Sequence, residues 1–242
     1  MDVFSYPTRV SYGAVDGALR LTLRGAMAMM QEAAIIHSSQ VGYAVEDIPR
    51  THVIWMLVQW RVRRTGTARW NEPLIVETWP RSMARVTSTR NFQITNEQGE
   101  VVALGESEWI LVNTDTGRAA RITPEIAGAY QLVDRDVFPE PFPAVEPGEG
   151  TEACRLDIRR ADMDTNHHVN NLVYLDYALE ALPEDVAADF DEISVSYRRE
   201  LRPGQQVRCL YRKAGEAHVV DLMGEADNAL HSTVIFHVAG VE

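Results

Sequence analysis

The same order of predicted elements occurs twice along this chain: a short strand, one long helix and then four strands. In the first half the segment 19–40 is rich in helix formers, with Thr22 as the candidate N-cap of the helix and Gly42 closing it. In the second half the helix covers residues 168–182, and Pro183 follows. One helix followed by several antiparallel strands is typical of an α+β fold, in which a sheet wraps a helix. The sequence therefore predicts two such units in tandem.

Runs of β-branched and aromatic residues, separated by turn signals, mark the strands. They are predicted at residues 4–12, 53–64, 73–81, 85–95 and 101–112, and then at 153–160, 192–200, 206–212, 218–224 and 229–238. Between the halves, prolines and glycines crowd the segment 134–150, which disfavours helix and central strand. We expect an N-terminal unit at 1–133, a surface linker at 134–150 and a C-terminal unit at 151–242.

Composition excludes several classes of protein. The net charge of −12 argues against a general nucleic-acid binder. No apolar run approaches the roughly 20 residues of a membrane span, and residues 1–7 lack the features of a signal peptide. Cys154 and Cys209 have no C-x-x-C spacing, which is typical of reduced thiols. We expect a cytoplasmic protein with no cofactor, no nucleic-acid partner and no membrane span.

The most informative motif lies where the second helix is predicted to begin. Asp164, Asn166 and His168 place a carboxylate, an amide and an imidazole at alternate positions. Helix N-termini offer unpaired N–H groups, which suit a site that stabilises a developing oxyanion. A plainer alternative makes Asp164 a helix cap. No metal is predicted, because a calcium loop starting at Asp162 would need Gly where His167 stands.

The string Asp-x-Asn-x-His-Val-Asn-Asn-x-x-Tyr at residues 164–174, followed by Tyr-Arg-Arg-Glu at 197–200, resembles the acyl-acyl-carrier-protein thioesterases of plants and bacteria. The resemblance covers nearly the whole chain. It implies a double hotdog fold and hydrolysis of fatty acyl-ACP to free fatty acid and acyl carrier protein, within fatty acid biosynthesis. It is also compatible with a homodimer. Leu201 stands where plant members commonly have Cys, so a thiol nucleophile is not expected.

The family's functional positions fall on Asp164, Asn166, His168 and Glu200. We predict that Glu200 is the base that activates water, helped by His168, while Asp164 orients the helix start. The reverse assignment, with Asp164 as base or nucleophile, stays open. Asn166 is neutral, so it can donate a hydrogen bond to the thioester carbonyl or position the water. On the predicted strand Glu200 shares a face with Arg198, which could hold it ionised.

Other residues are candidates for binding the substrate. Backbone N–H groups near Val169 and Asn170 could complete the oxyanion site. The resemblance implies that the first half houses the acyl chain while the second half carries the chemistry. Methionine and tryptophan suit the wall of such a pocket, although core packing is the alternative for each of them. The pocket candidates are Met27, Met30, Trp55 and Met56.

A run of arginines in the first half suggests a docking surface for the carrier protein. The arginines are at positions 61, 63, 64, 69, 81, 85 and 90. Because acyl carrier protein is acidic, a basic patch here would attract it. The alternative is a set of solvated strand faces and turns.

Two other functions stay open at this point. A hydrolase of the same fold could act on acyl-CoA instead of acyl-ACP. A non-catalytic acyl-binding protein would bind the ligand without turnover.

Overall fold

The structure, a computed structural model, describes residues 3–144 and 148–238. The chain forms two compact units, unit 1 at Met1–Pro141 and unit 2 at Phe142–Glu242. Residues 145–147 of the predicted linker lie outside the described residues. The helices and strands are β1 (Phe4–Arg9), α1 (Leu23–Gln40), α2 (Ile48–Thr51), β2 (Val53–Arg64), β3 (Pro73–Ala84), β4 (Thr87–Asn96), β5 (Val101–Asn113), β6 (Arg118–Ala119), α3 (Pro124–Tyr130), β7 (Thr151–Asp157), α4 (Asn171–Leu179), β8 (Glu192–Tyr197), β9 (Gln206–Ala214), β10 (Ala217–Gly224) and β11 (Leu230–His237).

Unit 1 is an antiparallel sheet packed on α1. Its strands are ordered β1-β3-β4-β5-β2, and the short β6 pairs with β5. The predicted cap of α1 is confirmed, because the Thr22 hydroxyl accepts a hydrogen bond from the N–H of Gly25 at 3.0 Å. The helix ends where Gly42 takes a left-handed φ of 80°. The sequence did not predict β6 or α3.

The inner face of α1 is packed tightly against the sheet. Met27 and Met30 are fully buried. Gly105 on β5 makes room for Met30, since a Cβ at that position would lie 2.6 Å from the Met30 Sδ. These two methionines are therefore core residues. No helix in residues 3–144 and 148–238 has the length and apolar character needed to cross a membrane.

Unit 2 repeats the arrangement with a shorter helix. Its antiparallel strands are ordered β8-β11-β10-β9-β7, and α4 packs on β10 and β11. The inward face of α4 carries apolar residues and two buried tyrosines, Tyr174 and Tyr177. The helix begins at Asn171, three residues later than predicted, because the preceding segment folds as a loop.

The first part of the predicted linker is fastened to unit 1. Phe138 is only 3% exposed, and the guanidinium of Arg61 lies 3.9 Å from its ring centroid. Arg61 also donates to the backbone carbonyl of Glu140 at 2.9 Å. The indole N–H of Trp79 donates to the carbonyl of Arg135 at 2.9 Å. This segment therefore belongs to the packed body of unit 1, although it forms neither helix nor strand.

The start of α1 tolerates only glycine at position 25. A Cβ there would lie 2.5 Å from the backbone oxygen of Ala14, which also accepts the Thr22 N–H. We expect Gly25→Ala to lower the free energy of unfolding by about 2 kcal/mol through this clash. Alanine's better helix propensity, worth about 1 kcal/mol, does not offset it.

Gly128→Ala is the matched control, because Gly128 lies in α3 with no atom within 4 Å of its would-be Cβ. Urea unfolding should find this variant as stable as the parent or more so. Equal stability of the two variants would contradict the steric argument.

Candidate active site

The predicted catalytic motif folds as a short loop ahead of α4. Met163 and Val169 pair as an antiparallel bridge, and residues 164–168 turn between them. One carboxylate oxygen of Asp164 accepts the backbone N–H groups of Asn166 at 2.8 Å and of His168 at 3.2 Å. The prediction that the helix begins near His168 is therefore wrong. Asp164 caps a turn of the loop and does not cap the helix.

Asn170 is the residue that caps α4. Its side-chain oxygen accepts the N–H of Leu172 at 3.0 Å. Its own N–H donates to the carbonyl of Asp162 at 2.9 Å, so it is not available to a substrate oxyanion. This contradicts the prediction that Asn170 supplies an oxyanion N–H. The N–H of Val169 has no hydrogen-bond partner within the described residues and keeps that role as a candidate.

A buried carboxylate holds this loop to α4. Asp162 is 1% exposed and accepts the backbone N–H of Arg159 at 2.7 Å and its guanidinium at 2.7 Å. The hydroxyl of Tyr177 on α4 donates to the same carboxylate at 2.5 Å. Burial alone would raise the pKa of Asp162, but the hydrogen bonds from Arg159 and Tyr177 outweigh it and lower the pKa.

Glu200 lies beyond the end of β8 and not within it. The N–H groups of Arg198 and Arg199 both donate to the carbonyl of His231, at 2.8 and 3.2 Å, so the strand alternation stops at Tyr197. The prediction that Glu200 shares a strand face with Arg198 is therefore wrong. Its partner is His168, whose Nε2 lies 3.4 Å from the Glu200 Oε2.

Two tyrosines hold residues 197–201, the segment that contains Glu200, against α4. The Tyr174 hydroxyl accepts the N–H of Leu201 at 2.9 Å. The Tyr197 hydroxyl donates to the carbonyl of Asn171 at 3.0 Å, and the two rings pack edge to face with centroids 5.3 Å apart. Leu201 itself is fully buried. Leu201 is therefore an apolar anchor in this chain.

The structure brings three of the four predicted catalytic residues into one cluster. His168 contacts Asp164 through its backbone and Glu200 through its imidazole. Burial, together with the nearby charges of Glu200 and Asp164, raises the pKa of Tyr174 to about 12. The side chains of His168 and Glu200 are 44% and 32% exposed, so water can reach them. The fourth residue, Asn166, is held only by its backbone N–H, which donates to Asp164, and its carboxamide has no partner in the described chain.

Sequence reasoning missed the residues that position this cluster. Asp162 was considered only as a calcium ligand, and Tyr174 only as part of the motif string. Tyr177 gave no signal at all. Their partners are distant along the chain and become visible only in the fold. The one hint available from the sequence was an acid, Asp162, three residues after Arg159 and shortly before a predicted helix.

Thiols and metal ligands do not form a competing centre in the parts that the structure describes. Cys154 on β7 and Cys209 on β9 are cross-strand partners, and burial raises the pKa of both thiols. Protonated thiols are poor nucleophiles. Among residues 3–144 and 148–238, no three His, Cys, Asp or Glu side chains are grouped to hold a metal ion.

Unit 1 contains an apolar cavity of about 90 Å³. Trp55, a predicted pocket residue, lines it. Met27 and Met30 are fully buried core residues, and Met56 is not among the lining residues. Trp55 therefore lines the cavity, whereas the three methionines of the predicted pocket do not.

The seven arginines of the first half do not form one exposed patch. Arg61 and Arg90 are buried. Arg63 pairs with Glu140 at 2.5 Å, and Arg81 pairs with Asp136 at 2.8 Å. Of the seven, only Arg69 and Arg85 are exposed. Most of these arginines are therefore buried or paired with carboxylates of unit 1.

Each unit, a helix packed on an antiparallel sheet, has the architecture of a hotdog protein, so the chain is an α+β double hotdog. Family models locate it more closely. The acyl-ACP thioesterase N-terminal domain matches residues 1–130, and the acyl-ACP thioesterase C-terminal domain matches residues 146–233. The chain therefore belongs to the acyl-ACP thioesterase family.

Known proteins agree with this placement. Oleoyl-acyl carrier protein thioesterase 2, chloroplastic, of Arabidopsis thaliana is 28% identical over 221 residues, 82% of this chain but only 60% of that protein. An acyl-ACP thioesterase from Bacteroides thetaiotaomicron superposes with a TM-score of 0.86 at 18% identity, covering 97% of each chain. The 12:0-ACP thioesterase from Umbellularia californica gives 0.83 at 20% identity, covering 97% of this chain and 96% of that one. These superpositions confirm the predicted fold.

The lowered pKa of Asp162 makes its contribution to stability depend on pH. A depressed pKa in the folded state stabilises the protein above the unfolded-state pKa, and this contribution is lost as the pH falls through the folded-state value. We expect Asp162→Asn to cost about 2 kcal/mol at pH 7, because the buried donors lose their acceptor. The difference from the parent should shrink below about pH 4.

Urea unfolding at pH 7 and pH 3 checks this expectation. Asp157→Asn, an exposed acid on β7, is the matched control and should change stability by less than about 0.5 kcal/mol at both values. A pH-independent cost of Asp162→Asn would show that its charge is not the stabilising feature.

Proposed function

We propose that this chain hydrolyses the thioester of fatty acyl-ACP to a free fatty acid and acyl carrier protein. The observation that carries the proposal is the His168–Glu200 pair, 3.4 Å apart, beside the loop that Asp164 organises. Family membership supplies the substrate class, since the Arabidopsis relative is named an oleoyl-acyl carrier protein thioesterase. The chain spans 60% of that relative's length, so the activity is proposed from the site itself.

Glu200 is the group we assign to accept a proton from water. Its carboxylate is partly exposed and, among the described residues, is paired only with the His168 imidazole, which leaves it able to bind a water molecule. In contrast, one oxygen of Asp164 already accepts two backbone N–H groups. A carboxylate engaged in this way is better suited to shape the loop than to take a proton. This contrast favours Glu200 as the base and Asp164 as the positioning group.

In the proposed reaction the thioester is cleaved by one water molecule. Water oxygen attacks the thioester carbon while Glu200, with His168 beside it, takes a water proton. The carboxamide of Asn166 and the N–H of Val169 are the donors available to the carbonyl oxygen as it becomes negative. The carbon–sulfur bond breaks, and the departing thiolate receives the proton from the Glu200–His168 pair. The acid and the carrier thiol leave, and the pair returns to its starting state.

We assign the acyl chain to the cavity of unit 1. The cavity is walled by aromatic and aliphatic side chains, including Trp55, Trp109 and Met83. Burying an alkyl chain against such walls is favourable by about 0.8 kcal/mol per methylene group. The proposed function thus uses both halves of the chain, as the domain prediction expected.

Comparing acyl-ACP with acyl-CoA as substrate distinguishes the two thioesterase activities that this fold could have. We expect kcat/KM for an acyl-ACP to exceed that for the acyl-CoA of equal chain length by about tenfold or more, because the carrier protein supplies additional binding energy. Release of free acid from both substrates over a range of chain lengths is the measurement. Equal or better turnover of acyl-CoA would replace the proposal with an acyl-CoA thioesterase. Binding without release from either carrier would leave a non-catalytic acyl-binding protein.

Removing the base should abolish chemistry without unfolding the chain. Glu200→Gln keeps the shape of a half-exposed side chain but cannot accept the water proton. We expect kcat to fall by about 10²-fold or more, the usual scale for an acid–base group. Steady-state hydrolysis together with a melting temperature separates lost chemistry from lost structure.

Three controls sharpen that experiment. Glu225→Gln, a carboxylate of unit 2 that pairs with Arg155 and Arg208, should keep the parent kcat. Cys154→Ser and Cys209→Ser should also stay active. If Glu200→Gln turns over like the parent, the base assignment is wrong, whereas a folded but inactive cysteine variant would point to a thiol mechanism.

Three features stay predictions from the sequence. They are a cytoplasmic location, a homodimer, and docking of the acidic carrier protein on unit 1. For the last of these, Arg69 and Arg85 are the exposed arginines of the predicted patch.

A further inference from the structure

Arg90 is a buried cation in the wall of the unit 1 cavity. It lies on β4 and is 6% exposed. Ser88, two residues earlier on the same strand face, pairs in register with Met83 and Trp109, and all of these residues line the cavity. A guanidinium is therefore placed among otherwise mostly apolar walls.

The protein gives Arg90 only neutral partners in the described chain. Its Nη1 donates to the Nδ1 of His37 at 3.0 Å and to the Thr78 hydroxyl at 3.1 Å. Burial, with the charge of Arg90 adding to it, lowers the pKa of His37 to about 4, so this imidazole is uncharged at neutral pH. Burial also lowers the pKa of Arg90 to about 10, which leaves the guanidinium charged.

The carboxylates of the neighbouring strand are engaged elsewhere. Glu106 on β5 binds Arg61 at 2.9 Å, and Glu108 accepts a hydrogen bond from Gln59 at 2.7 Å. No carboxylate within residues 3–144 and 148–238 forms an ion pair with Arg90. A buried charge without a counter-charge is costly, so an anion entering the cavity would be stabilised there.

The geometry of the guanidinium suits one kind of anion. Both hydrogen bonds of Arg90 use Nη1, so in the described structure its Nε and Nη2 keep N–H groups without protein partners. This pair of donors forms the fork that binds a carboxylate through two parallel hydrogen bonds. The hydroxyl of Ser88 likewise has no partner there and can add a donor.

We propose that the unit 1 cavity binds an aliphatic chain whose carboxylate is held by Arg90. The apolar walls take the chain, and the guanidinium takes its charged end. Such a ligand has two sources. One is a free fatty acid, which as the reaction product rests on the proposed function; the other is an acyl thioester with a second carboxylate at its far end.

Binding can be measured without any thioester. Trp55 and Trp109 line the cavity, so intrinsic fluorescence reports its occupation. Decanoate should bind the parent chain at least about tenfold more tightly than decan-1-ol, because a charged hydrogen bond is added to the same apolar contacts. In Arg90→Met this preference for the acid should disappear, with the affinity for decan-1-ol unchanged or higher.

Two variants control for charge and folding. Arg69→Met removes one exposed positive charge and should keep the preference for the acid. Arg90→Lys keeps the charge without the fork and should give an intermediate preference. Replacing a buried charge by an apolar side chain is often neutral for stability, so Arg90→Met should fold. If it does not, the comparison of acid and alcohol on the parent chain still decides.

Kinetics then separates the two sources. For a free fatty acid, decanoate should inhibit hydrolysis competitively, and Arg90→Met should relieve the inhibition. For a dicarboxylic acyl group, Arg90→Met should lower kcat/KM for the thioester of decanedioic acid and not for that of decanoic acid. Equal binding of decanoate and decan-1-ol to the parent chain would overturn the proposal. Failure to hydrolyse any thioester would count against the proposed function alone, because the binding titration contains none.

Discussion

The buried carboxylate of Asp162 is the interaction on which the candidate site depends. A charged group is tolerated at 1% exposure only when its oxygens are fully paired, and here Arg159 and Tyr177 supply the donors. The carbonyl of the same residue accepts the N–H of Asn170, the residue that caps α4. One residue thus fixes the start of the motif loop, the cap of the helix and the body of the helix together.

Further hydrogen bonds to the backbone position His168 and Glu200. The loop returns on itself because Asp164 accepts two of its N–H groups, and this sets the direction of His168. On the other side, the Tyr174 hydroxyl holds the backbone just after Glu200. The imidazole and the carboxylate therefore meet although they come from different elements. The backbone at His168 and next to Glu200 is held by hydrogen bonds, as a pre-organised site requires.

How much of this could be predicted from sequence depends on the range of the interaction. The cap at Thr22 and the span of β2 were predicted correctly, because both follow from local propensity and patterning. The start of α4 was misplaced, because the competing bridge between Met163 and Val169 is a tertiary feature. Glu200 was placed on a strand for the same reason, since the carbonyl of His231 ends the ladder. The residues of the cluster were predicted, and the partners that hold them were not.

The two buried arginines of unit 1 illustrate why charge counting along the sequence fails. Both lie in strands of the same sheet, and both were expected in a surface patch. Arg61 is neutralised by Glu106 and fastens residues 138–141 through the Phe138 ring and backbone carbonyls. Arg90 has an imidazole, a hydroxyl and a cavity around it instead. The charge of Arg61 is used in folding the chain, whereas that of Arg90 is left facing a space that a ligand can enter.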